Sequence, residues 1–552
     1  MTALGKFKLA LIPAILGAAL LANPAVQAQE KVTIDGVEAE RVIIAPPLNP
    51  LALSIKKGLA EAYAQANPES RAYEEAQKLY FFYGGRHFEP LWLTSDDNGK
   101  VAFSDKAEQI IQVFKDSYLE GLRPDDYLTA DLSLDADMSN PDAVARLETA
   151  FSAAAIKYAQ NAYGGRVRPS SVSGYIDIRP PQLDGAKFLL ELAASDTPDQ
   201  MLHDLSPTNP EFLGLKKLLA QHYAGTIEKV VSIPGGGLLK PGMSDDRVPL
   251  LRERLELDPI EGSTTYDDLL VAAVESFQEE KGLTVDGVIG PATVSALNGG
   301  SAIPTVDIVA NMERWRWMPR DLGNFNVFVN IPEFRLYIYD NGQQAYTTRV
   351  VVGKISNQTP IFNDEIEHIV MNPYWNVPPS IASNEIGPIL QSNPGYIASH
   401  NMELLSGGRV INASAVDWST NSINNFRIRQ KPGGANALGQ VKFLFPNSHD
   451  VYLHDTPSKS LFSRSTRAFS HGCVRVQNPM DFANALLANE PRLSLATLES
   501  ERGSTERWNN LEYHVPVHLA YFTLRVDANG NVQSFPDIYG HNAKLVRMLD
   551  AS

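Results

Sequence analysis

The spacing of apolar residues changes twice along the chain, and each change marks a different kind of element. From Val42 to about Ile233 apolar positions recur every three or four residues, as in 59–66, 107–118, 143–159 and 188–194, which predicts amphipathic helices. The aromatic runs Tyr80-Phe81-Phe82-Tyr83 and Phe88-Glu89-Pro90-Leu91-Trp92 fall in this part and read as core. Pro234-Gly235-Gly236-Gly237 interrupts the helical pattern as a joint. Beyond it, Leu239, Val248, Leu251 and Leu255 predict one short helix and 266–281 a second. Asp286-Gly287-Val288-Ile289-Gly290-Pro291-Ala292-Thr293 is then a turn opening a third helix that ends near Asn298. Beyond Asn298 the texture becomes that of strands: 326–331, 334–339, 345–352 and 441–445 are short, β-branched or aromatic, and bounded by turns, with Asp340-Asn341-Gly342 as a hairpin signal. Residues 378–417 break this rhythm with helical pieces such as 381–390, predicting an insertion over one side of the sheet that is placed to act as a lid. Residues 519–535, with a turn at Asp527-Ala528-Asn529-Gly530, predict a late hairpin of the same domain.

The chain is therefore expected to be a multidomain α+β protein. Its parts are a helical scaffold domain (29–235), a small three-helix module (236–300), a linker (301–324), a mainly β domain (325–540) with an inserted helical cap at about 378–417, and a C-terminal tail (541–552). A length of 552 residues exceeds what one hydrophobic core organises. Residues 1–28 stand apart: Lys6 and Lys8, an apolar run from Leu9 to Leu21, and Val26-Gln27-Ala28 predict a signal peptide cleaved after Ala28. Pro13 and Gly17 break a run already short for a membrane anchor, and no later stretch is apolar and long enough to span a bilayer. The expectation is an exported protein of a bacterial periplasm with no stable membrane insertion after cleavage. The formal charge of −16 becomes two units more acidic when the signal lysines leave, which repels polyanions and excludes nucleic acid as a partner.

The chain has a single cysteine, Cys473, in the run Ser470-His471-Gly472-Cys473-Val474-Arg475, downstream of Tyr452-Leu453-His454-Asp455. One thiol cannot form an internal disulfide, and an unpaired thiol is a liability outside the cytosol, so its place beside glycine and histidine points to reactivity rather than to an inert buried cysteine. A free thiol titrates near 8.5, so attack near neutral pH needs a base or a positive neighbour. Gly472 lets the backbone turn so that amides near Cys473 can face a developing oxyanion. Two histidines compete for the base: His471 shares a face with Cys473 in an extended segment, and His454 comes close only if its strand pairs with the cysteine's. Spacing alone leaves both open. A zinc site built from His449, His454, Asp455 and His471 fits no ligand spacing such as H-E-x-x-H and would have no use for the Gly-Cys pair, so no metal or other cofactor is expected.

A histidine followed by Ser-His-Gly-Cys-Val-Arg resembles the signature of the L,D-transpeptidase (YkuD-type) catalytic domain over about 325–540. Phe277-Gln278, Gly282-Leu283, Asp286-Gly287, Gly290-Pro291 and Ala296-Leu297-Asn298 resemble a peptidoglycan-binding domain. The order of scaffold, module and capped catalytic domain is similar to the large periplasmic YcbB-like branch. The resemblance implies Cys473 as nucleophile, His454 as general base and acid, the Asp455 carbonyl as the group orienting that imidazole, and the Gly472 and Cys473 amides as oxyanion hole. Ser470, His471 and Arg475 support the site; Asp455 stands where glycine is often found, and Arg475 where many members have asparagine and others arginine. Tyr452, Trp375 and Phe445 are candidates for lining a substrate groove. The implied reaction joins peptidoglycan stem peptides: Cys473 takes the third residue of a tetrapeptide donor as a thioester with loss of D-alanine, and an amine of a second stem gives a 3-3 crosslink. The same thiol could serve an L,D-carboxypeptidase or a lipoprotein-anchoring enzyme. The resemblance also implies carbapenem-type β-lactams as acylating inhibitors. A non-catalytic peptidoglycan-binding scaffold is the alternative of another class, disfavoured by intact His454, Gly472 and Cys473.

Overall fold

The computed structural model of this chain describes residues 30–551 apart from 35–36, 42–43, 69–70, 97–99, 133–137, 226–230, 232, 235, 282, 299–302 and 527–529. The expected signal peptide, Gly235 of the joint and most of the late turn lie outside the described residues. The chain divides into two compact units, one made of residues up to Leu91 with Ala136–Thr149, the other of Trp92–Asp135 with Ala150 onward. In the first, helix Pro50–Gln65 starts where the Asn49 side chain accepts from the Ala52 amide (2.8 Å) and Pro50 occupies the first helical position. It packs against Arg71–Gly84, and Tyr83 and Phe88 are fully buried. Most of the expected scaffold belongs instead to the second unit, together with the β domain.

The module at 239–298 is organised by one polar side chain. Leu239, Val248, Leu251, Leu270, Val274, Ile289 and Leu297 form its core between helices Val248–Arg254, Asp268–Glu280 and Pro291–Asn298. The buried Gln278 accepts from the Asp286 and Gly287 amides (3.1 and 3.0 Å) and donates to Val288 O (3.0 Å), so one amide group ties the Asp-Gly turn to the second helix. Gly287 has φ +61°, a left-handed conformation that suits glycine.

The stretch 301–324 is not a linker, because Thr305–Trp317 is a helix buried nearly all round. Glu313 accepts from the Arg166 and Val167 amides (2.6 and 2.7 Å), Asn311 accepts from the Thr523 and Leu524 amides (3.0 and 3.2 Å), and Arg314 donates to Asn542 (2.7 Å). The expected tail at 541–552 is likewise a helix, His541–Ala551, with Leu545 and Leu549 buried. Helix Pro210–Ala224 is joined to the β domain through Arg525, which pairs with Glu211 and Glu333 (2.9 Å), donates to the Tyr339 hydroxyl (2.8 Å), and lies over the Phe328 and Tyr337 rings.

The β domain contains strands β1 (Phe325–Asn330), β2 (Arg335–Asp340), β3 (Gln343–Gly353), β4 (Phe362–Met371), β5 (Trp375–Asn376), β6 (Met402–Ser406), β7 (Arg409–Ile411), β8 (Arg427–Gln430), β9 (Val441–Leu444), β10 (Leu453–His454), β11 (Ala468–Ser470), β12 (Val474–Val476) and β13 (Arg507–Ala520). Nine of them pair in the order β11-β3-β12-β10-β9-β4-β13-β1-β2, and β2 also pairs with β3. Eight strands thus close on themselves, and β11 continues along the edge of β3 beyond β2. Val327, Val329, Leu336, Ile338, Ile369, Phe443, Leu453, Val474, Val517 and Leu519 are buried in its core. The late hairpin, Leu524–Val526 with Val532–Ser534, stands outside this sheet as a separate pair.

The cap leaves from the end of β4 and returns at β9, two strands paired at Met371 and Val441. It extends beyond 378–417: besides its short helices it holds a four-stranded sheet, β7-β6-β8-β5, over its own core of Val377, Leu390, Leu404, Trp418 and Ile428. One turn of its first helical segment, Ala382–Ile386, is π-helical, a local distortion common at functional positions.

Candidate active site

Two short strands set the site. β10 and β12 pair in parallel, Leu453 opposite Val474 and His454 opposite Arg475, which puts Tyr452 beside Cys473. Side chains alternate between faces, so Leu453, Val474 and Val476 enter the buried core while Tyr452, His454, Cys473 and Arg475 share the other face. The pairing brings together a histidine and a cysteine nineteen positions apart in sequence.

His454 is 4% exposed, and its Nδ1 bonds the carbonyl oxygen of Asp455. A carbonyl only accepts, so Nδ1 carries the proton and Nε2 is left as the acceptor. The carbonyl is held by the Asp455 side chain, which accepts from the amides of Gln440 (2.9 Å) and Thr456 (2.7 Å) and from Lys459 Nζ. Gly439 makes room for it: with φ +62°, a Cβ there would lie 2.2 Å from Asp455 Oδ2. Burial, followed by the charge of Arg475, lowers the His454 pKa to about 3, so the imidazole is neutral.

Cys473 is half-buried. Its Sγ lies 3.8 Å from the carbonyl oxygen of Asp450, and burial raises the thiol to about 11, against the opposing pull of the Tyr452 backbone and hydroxyl and of Arg475. The resting pair is a neutral thiol and a neutral imidazole rather than a thiolate facing an imidazolium. Gly472 has φ +122°, open to glycine and rarely adopted by other residues. Its amide donates to Ser470 Oγ (3.1 Å), which itself donates to Cys473 O (2.5 Å). The Gly472 N–H is therefore engaged within the loop, which corrects the expectation of a free pair of oxyanion donors. Thr359 Oγ1 supports the turn from below, donating to Gly472 O (2.7 Å) and accepting from the Gly353 amide (2.8 Å).

The other expected residues are dispersed. His471 is engaged elsewhere: its Nε2 meets Glu385 in the π-helical turn of the cap (2.7 Å), with Lys354 at 3.3 Å. His449 bonds Asp177 (3.0 Å), so the four side chains weighed as zinc ligands each have separate partners. Among the described residues no three His, Cys, Asp or Glu come together as a metal cluster. Phe445 is fully buried against Phe362, ring centroids 6.0 Å apart, and cannot line a groove. Trp375 is half-buried against the core of the cap, and the Tyr452 ring lies 5.7 Å from that of His454. Thr359, Glu385 and Lys442 were not singled out from the sequence. Only Lys442 left a signal there, as the one charge in the apolar run Val441–Phe445.

Comparison with known proteins fits this arrangement. Residues 324–492 match the YkuD family model, an L,D-transpeptidase catalytic domain, residues 77–219 match a scaffold domain, and residues 250–297 match a "Putative peptidoglycan binding domain". A "Putative L,D-transpeptidase" of Haemophilus influenzae is 36% identical over 250 residues, 44% of this chain and 49% of that protein, so the chain spans about half the length of the curated relative it matches. Among solved structures, an L,D-transpeptidase of Xylanimonas cellulosilytica aligns at 16% identity over 52% of this chain and 99% of that one, with a TM-score of 0.19. The Ldtfm–avibactam carbamoyl enzyme aligns at 12% over 55% and 98%, with a TM-score of 0.18; superpositions this loose carry no argument. Residues 324–492 are thus similar to a YkuD-type L,D-transpeptidase catalytic domain, and residues 250–297 ahead of them to a peptidoglycan-binding domain. Strand β13, which lies between β4 and β1 in the closed sheet, falls outside the matched segment.

Proposed function

We propose that this protein is a cysteine-dependent L,D-transpeptidase of the periplasm that forms 3-3 crosslinks between peptidoglycan stem peptides. The observation that carries the proposal is the His454 Nδ1 bond to the Asp455 carbonyl, which leaves Nε2 as a base on the face that holds Cys473. In this reading the Cys473 thiol gives its proton to His454 as Sγ attacks the carbonyl of the third residue of a tetrapeptide donor. The S–C bond forms and the C–N bond breaks. His454 returns the proton to the departing D-alanine amine, leaving a thioester. The amine of a second stem attacks that thioester and restores the thiol. The Cys473 N–H serves the oxyanion, Ser470 fixes the loop, and burial together with Arg475 keeps the imidazole neutral. The module at 250–297 brings the wall to the site, and an N-terminal signal accounts for export.

Incubation with purified tetrapeptide muropeptides tests this. Intact-protein mass should show a transient adduct mapping to Cys473, and product mass should show a stem dimer with free D-alanine. A tripeptide product without dimer would make water the acceptor and the enzyme an L,D-carboxypeptidase, and unchanged substrate would sink the proposal. Carbapenem-type β-lactams are expected to leave a stable adduct on the same residue.

The pH dependence follows from the depressed imidazole. His454 is a base wherever the pH exceeds its pKa of about 3, so its protonation imposes no loss between pH 8 and 5. The acylation rate by a carbapenem, followed by stopped-flow absorbance, should lack the inflection near 6.5 of an ordinary histidine. A sigmoid centred there would refute the neutral pair.

A further inference from the structure

The face that carries His454 and Cys473 holds a second cation that the mechanism above leaves unused. Lys442 in β9 lies directly across from His454 on one side and Val370 on the other, and Val370 lies across from Trp508 in β13. Directly opposed residues share a face, so Arg475, His454, Lys442, Val370 and Trp508 form one row across five neighbouring strands.

Lys442 is 8% exposed, with its ammonium 5.1 Å from the centroid of the Trp508 ring and 5.8 Å from that of Tyr452. Among the described residues no carboxylate lies within ion-pair distance of it. Glu506, whose charge acts on it, has both oxygens taken by the Tyr374 amide (2.8 Å) and the Trp508 indole (3.2 Å). Burial holds its pKa below that of an ordinary lysine. On the other side of His454, Arg475 also lacks a carboxylate among the described residues, and its Nε is buried without a hydrogen-bond partner. Two cations that are largely out of water, with no anion of their own, flank a neutral catalytic histidine. Such charges are costly to bury alone and are offset when an anion arrives.

We infer that Lys442 is a specificity-determining residue that binds a carboxylate of the stem-peptide donor, with the exposed Trp508 as the wall beside it. The assignment rests on the transpeptidase reading given above. Two donor carboxylates fit the chemistry: the C-terminal one on the leaving residue, and one at the side-chain end of the diamino acid. Lys442 is one strand beyond Tyr452 and two residues along from it, a Cα separation from Cys473 on the order of 12 Å. That span is bridged by a long lysine side chain together with a donor group several bonds from the scissile carbonyl.

The test measures tetrapeptide binding by calorimetry to Cys473→Ala protein and to the Cys473→Ala, Lys442→Met double variant. Each is titrated with the free donor, the C-terminal amide and the diamino-acid side-chain amide. Removing the relevant carboxylate should weaken binding to Cys473→Ala protein by about 10- to 100-fold, the range of one charge-assisted contact. Lys442→Met should weaken the free donor equally and leave that amide unaffected; which amide behaves so identifies the carboxylate. Lys442→Arg should restore most of the affinity. If neither amide binds more weakly, or if Lys442→Met weakens all three donors alike, the inference falls, and the first outcome decides it even if Lys442→Met does not fold. Thioester formation by the unaltered protein, measured in parallel, judges the transpeptidase reading separately: an adduct with indifferent donor affinities overturns only the role of Lys442.

Discussion

Cys473→Ala is expected to leave a folded protein that releases no D-alanine and joins no stems, a fall of about 10⁴-fold or more in the rate of acyl transfer. The chain has one cysteine, so no second thiol can supply a background. Binding to sacculi should survive, because the module at 239–298 has a core of its own. The companion substitutions are ranked by geometry. His454→Ala removes the base and should cost about 10²–10⁴-fold in acylation. His471→Ala breaks only the contacts to Glu385 in the cap and to Lys354 and should cost less than about tenfold. Crosslinking assays on tetrapeptide sacculi, with acylation read by mass, check all three; the reverse order of the histidines would give the base role to His471.

The largest effect on stability is expected at Arg525. Its side chain is 11% exposed and its guanidinium is held by two carboxylates, Glu211 and Glu333, and by the Tyr339 hydroxyl. Arg525→Met removes the charge and leaves both acids in a site built around a cation, a change that costs about 3–5 kcal/mol in buried networks. Urea unfolding followed by tryptophan fluorescence should show the midpoint shift. Because Glu211 belongs to helix Pro210–Ala224 and Glu333 to the turn between β1 and β2, the substitution should loosen the helix and the sheet together. A chain cut at residue 300 to free the β domain would lose the same partner.

Strands β1, β2, β3 and β9 could be read from the sequence because they are short, β-branched or aromatic runs bounded by turns that carry Gly and Asn, whereas β4 and β13 lie outside the strands so marked. The helix Thr305–Trp317 could not be read, since it is buried nearly all round and Asn311, Glu313, Arg314 and Arg316 stand among its buried positions, so no apolar period marks one face. The proximity of His454 and Cys473 depends on parallel pairing between strands of two and three residues, a contact that no local spacing encodes. Phe445 illustrates the opposite case. Its strand already contained the answer: Phe443 and Phe445 share the phase of the core, and Lys442 and Leu444 the phase of the site. Aromatic character drew attention to the wrong member of that alternation. The engagement of the Gly472 amide by Ser470 is a third kind of limit, because one hydroxyl can turn inward or outward without any change in sequence pattern.

The cap departs and returns through two residues that are paired across neighbouring strands, Met371 and Val441. Its ends are therefore about one strand spacing apart, roughly 4.8 Å, a gap that a two-residue turn spans. It behaves as a cassette. Excision would join β4 to β9 as a simple hairpin with the ladders on both sides uncut, and a foreign loop of any length could be spliced in at little cost in chain entropy. Lineages could exchange this piece without having to rebuild the barrel beneath it.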